Sequence, residues 1–274
     1  MVWVYFKKMI GITIKGNDHI YLTYLYSLER CGLRHVQEEK DCFKVITENG
    51  VYLYLRKFPS SDAQVLYQIW TENEYAVVAD LIEKNFRQKQ LRIVDAGANI
   101  GYASLYLFKR LKDQYDIEFI IVEPGTGNLE VLTKNFEANG LINYHIEKAG
   151  LFNKECFLAL KTDFRDGKDW SLRVEEANHR TDLRGVEVLS LIKKYNWEYI
   201  DFIKIDIEGS EKYLFEDDAY AAGFLSRIKL ISIEVHEEFI SDKEIVNGLT
   251  ANSFDSFSHG EITIGHNLNL TAEN

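Results

Sequence analysis

The sequence predicts an α/β fold in which a mainly parallel sheet is covered by helices on both faces. From about residue 62, apolar strand-like runs alternate with helix-like runs, a pattern typical of crossover units in a parallel sheet. The first buried run passes through a glycine-containing turn into a helix, IVDAGANIGYAS (93–104). The last run, FDSFSHGEITIGHNL, turns at His259-Gly260 and predicts an antiparallel hairpin at the sheet's edge or within it.

The composition limits the functions that this chain can have. Its 274 residues fit one large domain, or one domain with an appendage. A net charge of −11 argues against binding to nucleic acid or to anionic membrane. Lysines interrupt the first apolar run, so we expect neither a signal peptide nor a spanning helix. Cys31, Cys42 and Cys156 form no metal-binding pattern, and we expect a cytoplasmic protein.

Residues 1–61 predict a small α+β cap that precedes a main domain at 62–274. The run MVWVYFKKMIGITIK alternates like a strand, and NDHIYLTYLYSLERCG resembles a helix with a glycine stop. The run CFKVITENGVYLYLRKF predicts two strands joined at Asn49-Gly50, which is a strong hairpin signal. Pro59 and the two serines after it mark the predicted junction.

The main domain begins with DAQVLYQIWTENEYAVVADLIEKNF, which predicts a helix in two pieces. The strands predicted after it are LRIVDAG, EFIIVEP, YHIEKAGL, CFLALKT, IDFIKIDIEG and IKLISIEVH. The helices predicted between and after them are YASLYLFKRLKDQ, TGNLEVLTKNFEANG, VEVLSLIKKYN, SEKYLFED and DKEIVNGLTANS. The charged stretch 161–185 has no clear period and predicts either a solvated surface loop or a substrate-facing lid.

Carboxylates follow nearly all of the predicted parallel strands, at the point where each strand ends. The exception is the third strand, which ends near Ala149-Gly150. The strand-end residues are Asp95, Glu123, Asp206 with Glu208, and Glu234 with His236. Ligands of open parallel sheets bind beyond the carboxyl ends of the strands. Because the strand interiors are otherwise apolar, these residues predict a ligand site at that edge.

The glycine turn and Glu123 together predict a nucleotide-type cofactor. Gly97 and Gly101 let the backbone pass close to a ligand. Asn99 stands where a dinucleotide fingerprint has its middle glycine, so the turn departs from that fingerprint. Glu123 follows Asp95 by 28 positions, where an acid can hydrogen-bond both ribose hydroxyls. The alternative is a tight strand-to-helix turn with a helix-capping glutamate.

Lys204 lies within a run of isoleucines and shares strand parity with Asp206 and Glu208. A buried lysine without a partner is unfavourable, so we expect it to pair with Asp206 or Glu234. It forms either a core ion pair that shapes the site or a direct substrate contact.

Four motifs carry a resemblance to a known family. VDAGANIG, VEP, IDFIKIDIEGSE and IEVH, in this order and after an ENEY that contains Tyr75, resemble FkbM-type S-adenosylmethionine-dependent methyltransferases. The resemblance covers about residues 66 to 266, and residues 1–60 carry none. It implies a Rossmann-like class I methyltransferase fold, with a seven-stranded sheet whose last strand is antiparallel. It also implies O-methylation of a sugar or polyketide-like hydroxyl.

The resemblance further implies S-adenosyl-L-methionine as the cofactor. Asp95 and the glycine turn would surround its methionine moiety, and Glu123 would take its ribose hydroxyls. Asn153 stands where the family usually has an acid, which leaves Gly150 and Leu151 as the adenine-side candidates. The full predicted cofactor-binding set is Tyr75, Asp95, Gly97, Asn99, Gly101, Glu123, Gly150, Leu151 and Asp206.

The catalytic base for a hydroxyl acceptor is expected among Asp206, Glu208, Glu234 and His236. His236 has the ordinary pKa closest to neutrality, but it also fits a strand-end residue satisfied by the backbone, and Glu208 also fits a cap of the following helix. A further hypothesis is a divalent metal ion held by Asp206, Glu234 and His236.

Two other functions stay open at this point: an NAD-binding oxidoreductase and a non-catalytic nucleotide-binding protein. The predicted acceptor is a small molecule or glycan, and the oligomeric state is open.

Overall fold

The structure is a computed structural model that describes residues 33–47, 49–57, 60–161 and 173–271. The strand and helix predicted within residues 1–32 lie outside this part of the chain. The strands in chain order are β1 (Leu33–Glu38), β2 (Cys42–Thr47), β3 (Tyr52–Arg56), β4 (Gln90–Ala96), β5 (Asp116–Val122), β6 (Tyr144–Glu147), β7 (Ala149–Leu151), β8 (Phe157–Lys161), β9 (Arg173–Glu176), β10 (Leu183–Val186), β11 (Ile200–Ile205), β12 (Ile228–Glu234), β13 (Phe254–His259) and β14 (Ile262–Asn267). The α-helices are α1 (Asp62–Leu66), α2 (Ala76–Asn85), α3 (Tyr102–Leu111), α4 (Thr126–Asn139), α5 (Val188–Lys194), α6 (Glu211–Phe215), α7 (Asp218–Leu225), α8 (Asp242–Ala251) and α9 (Leu268–Thr271), and a π-helical turn (Tyr67–Thr71) continues α1.

The central sheet has seven strands in the order β13-β14-β12-β11-β4-β5-β6. The neighbours from β12 to β6 all pair parallel, whereas β14 is antiparallel to both β12 and β13. The last strand therefore lies inside the sheet, next to its edge strand β13. This confirms the α/β class I methyltransferase sheet, with seven strands and an antiparallel last strand, that the resemblance implies.

Side chains alternate across the central sheet, and each face has its own apolar core. Ile93 belongs to the core under α2, α3 and α4, whereas its neighbour Val94 belongs to the core under α5, α7 and α8. Because both faces are covered, the parallel strands read as continuous apolar runs. The cover on both faces explains why Phe202 and Ile203, which point to opposite faces of the sheet, are both fully buried.

Two helix ends follow the signals in the sequence, and two helices, α7 and α9, were missed. Helix α4 ends at Gly140, which adopts a left-handed φ of 70°, as the predicted glycine stop requires. Helix α8 begins with a capping box between Ser241 and Glu244. Helix α7 was not predicted, although the side chain of Asp217 caps its first turn. Its run DAYAAGFL has little apolar periodicity, so the pattern gave no helix signal.

The described N-terminal residues form a three-stranded antiparallel sheet in the order β1-β2-β3. The predicted hairpin is confirmed, and Gly50 at its turn has a φ of 75°. Phe43 and Leu53 are fully buried in the same core as the helices α2, α3 and α4. The described part of the cap thus packs directly against one face of the main domain. The boundary at residue 61 stays a prediction.

Two asparagines of α4 hold the free edge of β3. Asn135 accepts from the Tyr54 amide at 2.7 Å, and Asn139 accepts from the Tyr52 amide at 3.0 Å. The same carboxamides donate to the carbonyl oxygens of Tyr52 and Tyr54. Residues four apart on a helix and two apart on a strand share a face. The asparagine pair therefore takes the place of a neighbouring strand and satisfies the exposed backbone edge.

The prediction of a surface loop at 161–185 is wrong at residues 173–176 and 183–185, whereas residues 177–182 are a mostly exposed loop. Residues 173–176 and 183–186 form β9 and β10, which belong to a second sheet in the order β7-β10-β8-β9. Val174 and Leu183 are buried in this second sheet, and their neighbours in the sequence are charged. Each strand has so few buried residues that the sequence shows no alternation of apolar and polar positions. The third parallel strand of the central sheet also ends at Glu147, earlier than predicted, because the chain passes from β6 into β7 of the second sheet.

Candidate active site

A cavity lies at the carboxyl ends of the parallel strands, where the sequence places the ligand site. The predicted residues that line it are Tyr75, Gly97, Asn99, Glu123, Gly150, Leu151, Asp206, Glu208 and Glu234. Asp95, Gly101 and His236 do not line it. Asp95 contacts Lys204 and His236 contacts Glu208, and both of these partners line the cavity. The structure therefore brings most of the predicted set into one cavity, and leaves their cofactor and catalytic roles as proposals.

The cavity has two halves, which follow the strand order of the sheet. The glycine-loop half comprises Gly97–Ile100, Glu123–Pro124, Asn128 and Ala149–Leu151. The carboxylate half comprises Gln68, Glu74, Asp206, Glu208, Glu234 and Glu261. Glu123 follows β5 and Glu234 ends β12, three strands further along the sheet, or about 14 Å at the usual strand spacing.

Gly97 and Gly101 are required by close packing. Gly97 has a φ of 75°, and a Cβ atom there would lie 1.6 Å from the carbonyl oxygen of Asp206. Gly101 has a φ of 81°, and its Cβ would lie 2.6 Å from the ring of Phe136 on α4. Gly97 thus lets two strand ends meet beneath the cavity, and Gly101 lets α3 begin against α4. Gly101 acts on the cavity through packing.

Glu123 is the carboxylate of the glycine-loop half, and three hydrogen-bond donors hold it in place. It is buried, and accepts hydrogen bonds from the amide nitrogens of Gly125 at 2.7 Å and Asn99 at 2.8 Å, and from Nδ2 of Asn128 at 2.9 Å. Burial raises its pKa to about 7 in spite of these donors. A carboxylate has about four acceptor sites, so Glu123 both fixes the turn and keeps acceptor capacity toward the cavity.

Lys204 joins the two halves. Its Nζ donates to the Gly97 carbonyl at 2.8 Å and to Asp206 at 3.1 Å, and lies 3.5 Å from Asp95, whose other oxygen accepts from Ser104. Burial opposes the charge, but Asp206 and Asp95 outweigh it and raise the lysine pKa above its ordinary value. The expected core ion pair with Asp206 is confirmed, and Asp95 is its second partner. Lys204 also lines the cavity.

His236 is held between carboxylates. Its Nδ1 lies 3.0 Å from Glu211, and its Nε2 lies 3.3 Å from Glu208 and 3.9 Å from Glu234. Although burial disfavours the charged ring, hydrogen bonds to Glu208 and Glu211 raise its pKa to about 11. The ring is therefore an imidazolium at neutral pH, and in this arrangement it positions carboxylates instead of accepting a proton.

The capping role that the sequence suggests for Glu208 belongs to Glu211. The Glu208 carboxylate faces His236, whereas Glu211 accepts a hydrogen bond from the Ile207 amide at the start of the following turn. Glu211 is fully buried and was missed as a site residue, although it belongs to the quoted KIDIEGSE motif.

The three residues of the metal hypothesis lie close together. One ligand atom each of Asp206, Glu234 and His236 fall within 4.8 Å of one another. Both ring nitrogens of His236 already face carboxylates, and a metal ligand must be a neutral imidazole. A metal ion at this position would therefore have to displace Glu208 or Glu211 from the ring.

Gln68, Glu74 and Glu261 also line the cavity and were not predicted. The Gln68 amide nitrogen lies 3.0 Å from Glu74 and 3.2 Å from Glu261. Burial raises the pKa of Glu74 to about 6. Glu74 stands within the quoted ENEY motif, so its position was a usable signal. Glu261 gave none, because the antiparallel hairpin brings it to the cavity only in the folded chain.

Strand order, the glycine turn and the strand-end carboxylates together define a class I methyltransferase. The family model for the methyltransferase FkbM domain matches residues 95–262, which is more than half of the chain. The chain therefore belongs to the FkbM methyltransferase family. No curated protein sequence matches it.

Among the solved structures that are similar to this chain are those of two methyltransferases. A methyltransferase FkbM from Methylobacillus flagellatus KT is 16% identical, with a TM-score of 0.43; the match covers 74% of this chain and 54% of that one, so this chain spans about half of its length. An rRNA methylase from Streptococcus thermophilus is 12% identical, with a TM-score of 0.41, and the match covers 70% of this chain and 94% of that one. Within the described residues, no helix has the length and apolar character needed to cross a membrane.

Proposed function

We propose that the protein transfers a methyl group from S-adenosylmethionine to a hydroxyl of a sugar or another small molecule. The observation that carries this proposal is the geometry of Glu123, which is fixed by the amides of Asn99 and Gly125 at the end of β5 and still lines the cavity. Ribose hydroxyls can donate hydrogen bonds to such a carboxylate. Membership in the FkbM family supports the same cofactor.

The glycine-loop half fits this cofactor by a second observation. The side-chain oxygen of Asn99 is buried at the cavity wall, and none of the described residues hydrogen-bonds to it. A buried acceptor without a donor is unfavourable, and a ligand ammonium group would satisfy it. Tyr75, Gly97 and Asn99 would hold the methionine portion, Glu123 the ribose, and Gly150 with Leu151 the adenine.

Glu234 is the base that the geometry supports best. S-adenosylmethionine supplies, when bound, the methyl electrophile and a thioether leaving group. Asp206 is tied to Lys204, Glu208 faces the His236 imidazolium, and His236 itself is protonated and does not line the cavity. Burial and the nearby Asp206 raise the pKa of Glu234 well above its ordinary value. A carboxylate of raised basicity at the cavity wall is suited to accept the hydroxyl proton.

Calorimetry with S-adenosylhomocysteine and with NAD tests the donor assignment. We expect micromolar binding of S-adenosylhomocysteine and no measurable binding of NAD. Binding of NAD without S-adenosylhomocysteine would instead favour an oxidoreductase. If S-adenosylhomocysteine binds but a screen of glycans and small hydroxylated compounds shows no methyl transfer, the non-catalytic alternative is favoured.

We also propose a cytoplasmic location. Cys42 and Cys156 are free thiols in the described part of the chain, as is usual in a reducing compartment. The acidic surface supports a small-molecule acceptor over a nucleic acid.

A further inference from the structure

We infer that the methyl acceptor carries a positively charged amino group, and that the carboxylate half of the cavity binds this group. The inference rests on the proposed function, because it assigns the substrate class of the same site. It is carried by an excess of negative charge at the cavity and by Tyr75, a nearly buried residue whose hydroxyl has no hydrogen-bond partner among the described residues.

The charge imbalance is large. Among the described residues that line the cavity, the only lysine or arginine is Lys204. The carboxylates that line it are Glu74, Glu123, Asp206, Glu208, Glu234 and Glu261. His236 adds one positive charge behind Glu208. S-adenosylmethionine has one net positive charge at neutral pH, so Lys204, His236 and the donor together offset three of these six carboxylates and leave three uncompensated.

The excess is concentrated at Glu74, Glu234 and Glu261. Lys204 contacts Asp206 and Asp95, and no ion pair joins it to any of these three glutamates. Glu74 and Glu261 share only the uncharged amide of Gln68. Glu234 has one cation nearby, His236 at 3.9 Å, which Glu208 and Glu211 hold more closely. Carboxylates with so little compensation in a partly buried site repel one another, and an ammonium ion between them would reduce that repulsion.

Tyr75, which would also border the methionine portion of the donor, provides a second observation at the same place. Its side chain is 2% exposed and lines the cavity, yet no described residue hydrogen-bonds to its hydroxyl. Burial raises its pKa, and the charges of Glu74, Asp206 and Glu234 raise it further, which places the phenol among these carboxylates. A hydroxyl that faces a cavity without a protein partner indicates a polar ligand, and its acidic surroundings favour a cation.

The negative charge also continues outward from the cavity. Glu234 and Glu261 border a second, more open depression that is further lined by Glu237 and Asp242. No lysine or arginine is among the described residues that line it. Such a one-sign path raises the local concentration of an oppositely charged substrate.

A divalent metal ion is the competing explanation for the carboxylates. The geometry favours an ammonium group for two reasons. The carboxylates extend from Glu74 to Asp242 over two depressions, and do not converge on one point. In the one group that does converge, His236 is already held by Glu208 and Glu211.

The test uses two bisubstrate probes that differ in one group. Each is an S-adenosylhomocysteine analogue with nitrogen in place of sulfur, bearing an alkyl chain of three to five carbons on that nitrogen. The chain ends in an ammonium in one probe and in a hydroxyl in the other. Affinities are measured by calorimetry after dialysis against EDTA, in two buffers of different ionisation enthalpy so that proton release is counted.

We expect the ammonium probe to bind at least about tenfold more tightly than the hydroxyl probe, because it offsets the charge of the carboxylate half, and to release more protons, because it lowers the pKa of Glu74. The double variant Glu74→Gln, Glu261→Gln should lose this preference, whereas Glu137→Gln on the exposed face of α4 should keep it. S-adenosylhomocysteine binding by each variant shows that it is folded.

Three outcomes overturn the inference in distinguishable ways. Equal binding of the two probes, with S-adenosylhomocysteine still bound, would show that the acceptor site does not select a cation while the proposed function stands. A preference for the hydroxyl probe that appears only with added Mg²⁺ would assign the carboxylates to a metal ion. Failure of S-adenosylhomocysteine itself to bind would remove the proposed function, and this inference with it.

Discussion

The two halves of the cavity are built on the same sheet edge but differ in how their polar groups are satisfied. In the glycine-loop half, the one carboxylate, Glu123, receives two backbone amides and a carboxamide. In the carboxylate half, Glu74 and Glu261 share one carboxamide, and the cation nearest to Glu234 is His236 at 3.9 Å. One half is organised before any ligand arrives, and the other keeps unsatisfied charge.

This difference indicates a division of labour. A group held by several donors keeps its position and binds a ligand of constant shape with little reorganisation. Carboxylates without counter-ions are destabilising in the free protein, and their charge is neutralised only when a ligand of opposite sign enters. The first arrangement suits a cofactor, and the second suits a variable acceptor. Lys204 connects the two halves, since it contacts both the glycine turn and Asp206.

Removal of Lys204, which contacts both halves of the cavity, should have the largest effect on the free energy of unfolding. Lys204→Met leaves Asp95 and Asp206 without their buried cation, so we expect unfolding to become easier by about 3–5 kcal/mol in chemical denaturation. The matched control is Lys194→Met, whose ion pair with Glu147 is more than half exposed on the lysine side. That control should change stability by no more than about 1 kcal/mol. Similar losses in both variants would show that Lys204 does not join the halves.

Truncation of one carboxylate in each half should separate donor binding from acceptor binding. Glu123→Ala should weaken S-adenosylhomocysteine binding by about 1–3 kcal/mol, because buried hydrogen bonds are lost. Glu234→Ala should leave that affinity within about threefold and should lower methyl transfer instead. Calorimetry on both variants measures the difference. An unchanged affinity in Glu123→Ala would count against its ribose role.

The pH dependence of donor binding should be the smallest effect of the three. The pKa of Glu123 is raised to about 7, so its ionised, hydrogen-bond-accepting form is lost as the pH falls through that value. We expect the affinity for S-adenosylhomocysteine to fall below pH 7 by at most about tenfold per unit. Glu123→Gln, which does not titrate, should remove this part of the dependence. A flat profile between pH 8 and 6 in the unaltered protein would contradict the assignment.

The sequence predicted best those site residues that directly follow an apolar strand. Asp95, Glu123, Asp206 and Glu234 each close an apolar run, and parallel strands bring such ends to one edge. Residues whose place depends on packing escaped prediction. Gln68 reaches the cavity from the π-helical turn after α1, and β9 and β10 have too few buried residues to show a period.

The protonation state of His236 also could not be predicted from the sequence. Its ordinary pKa made it an attractive base, but two carboxylates at its ring nitrogens make it a cation. A pKa depends on burial and on neighbouring charges, and neither is local in the sequence.

The sequence by itself determined the alternation of strands and helices, the glycine turn and the carboxylates that follow the strands. These features depend on local periodicity, on backbone freedom and on which residues end an apolar run. Only the tertiary structure decided how the charges pair. Lys204 pairs with Asp206 and Asp95, and His236 pairs with Glu208 and Glu211. The hairpin of β13 and β14 places Glu261 near Glu74, where both contact Gln68. Charge pairing is decided by distances across strands and layers, and those distances exist only in the folded chain.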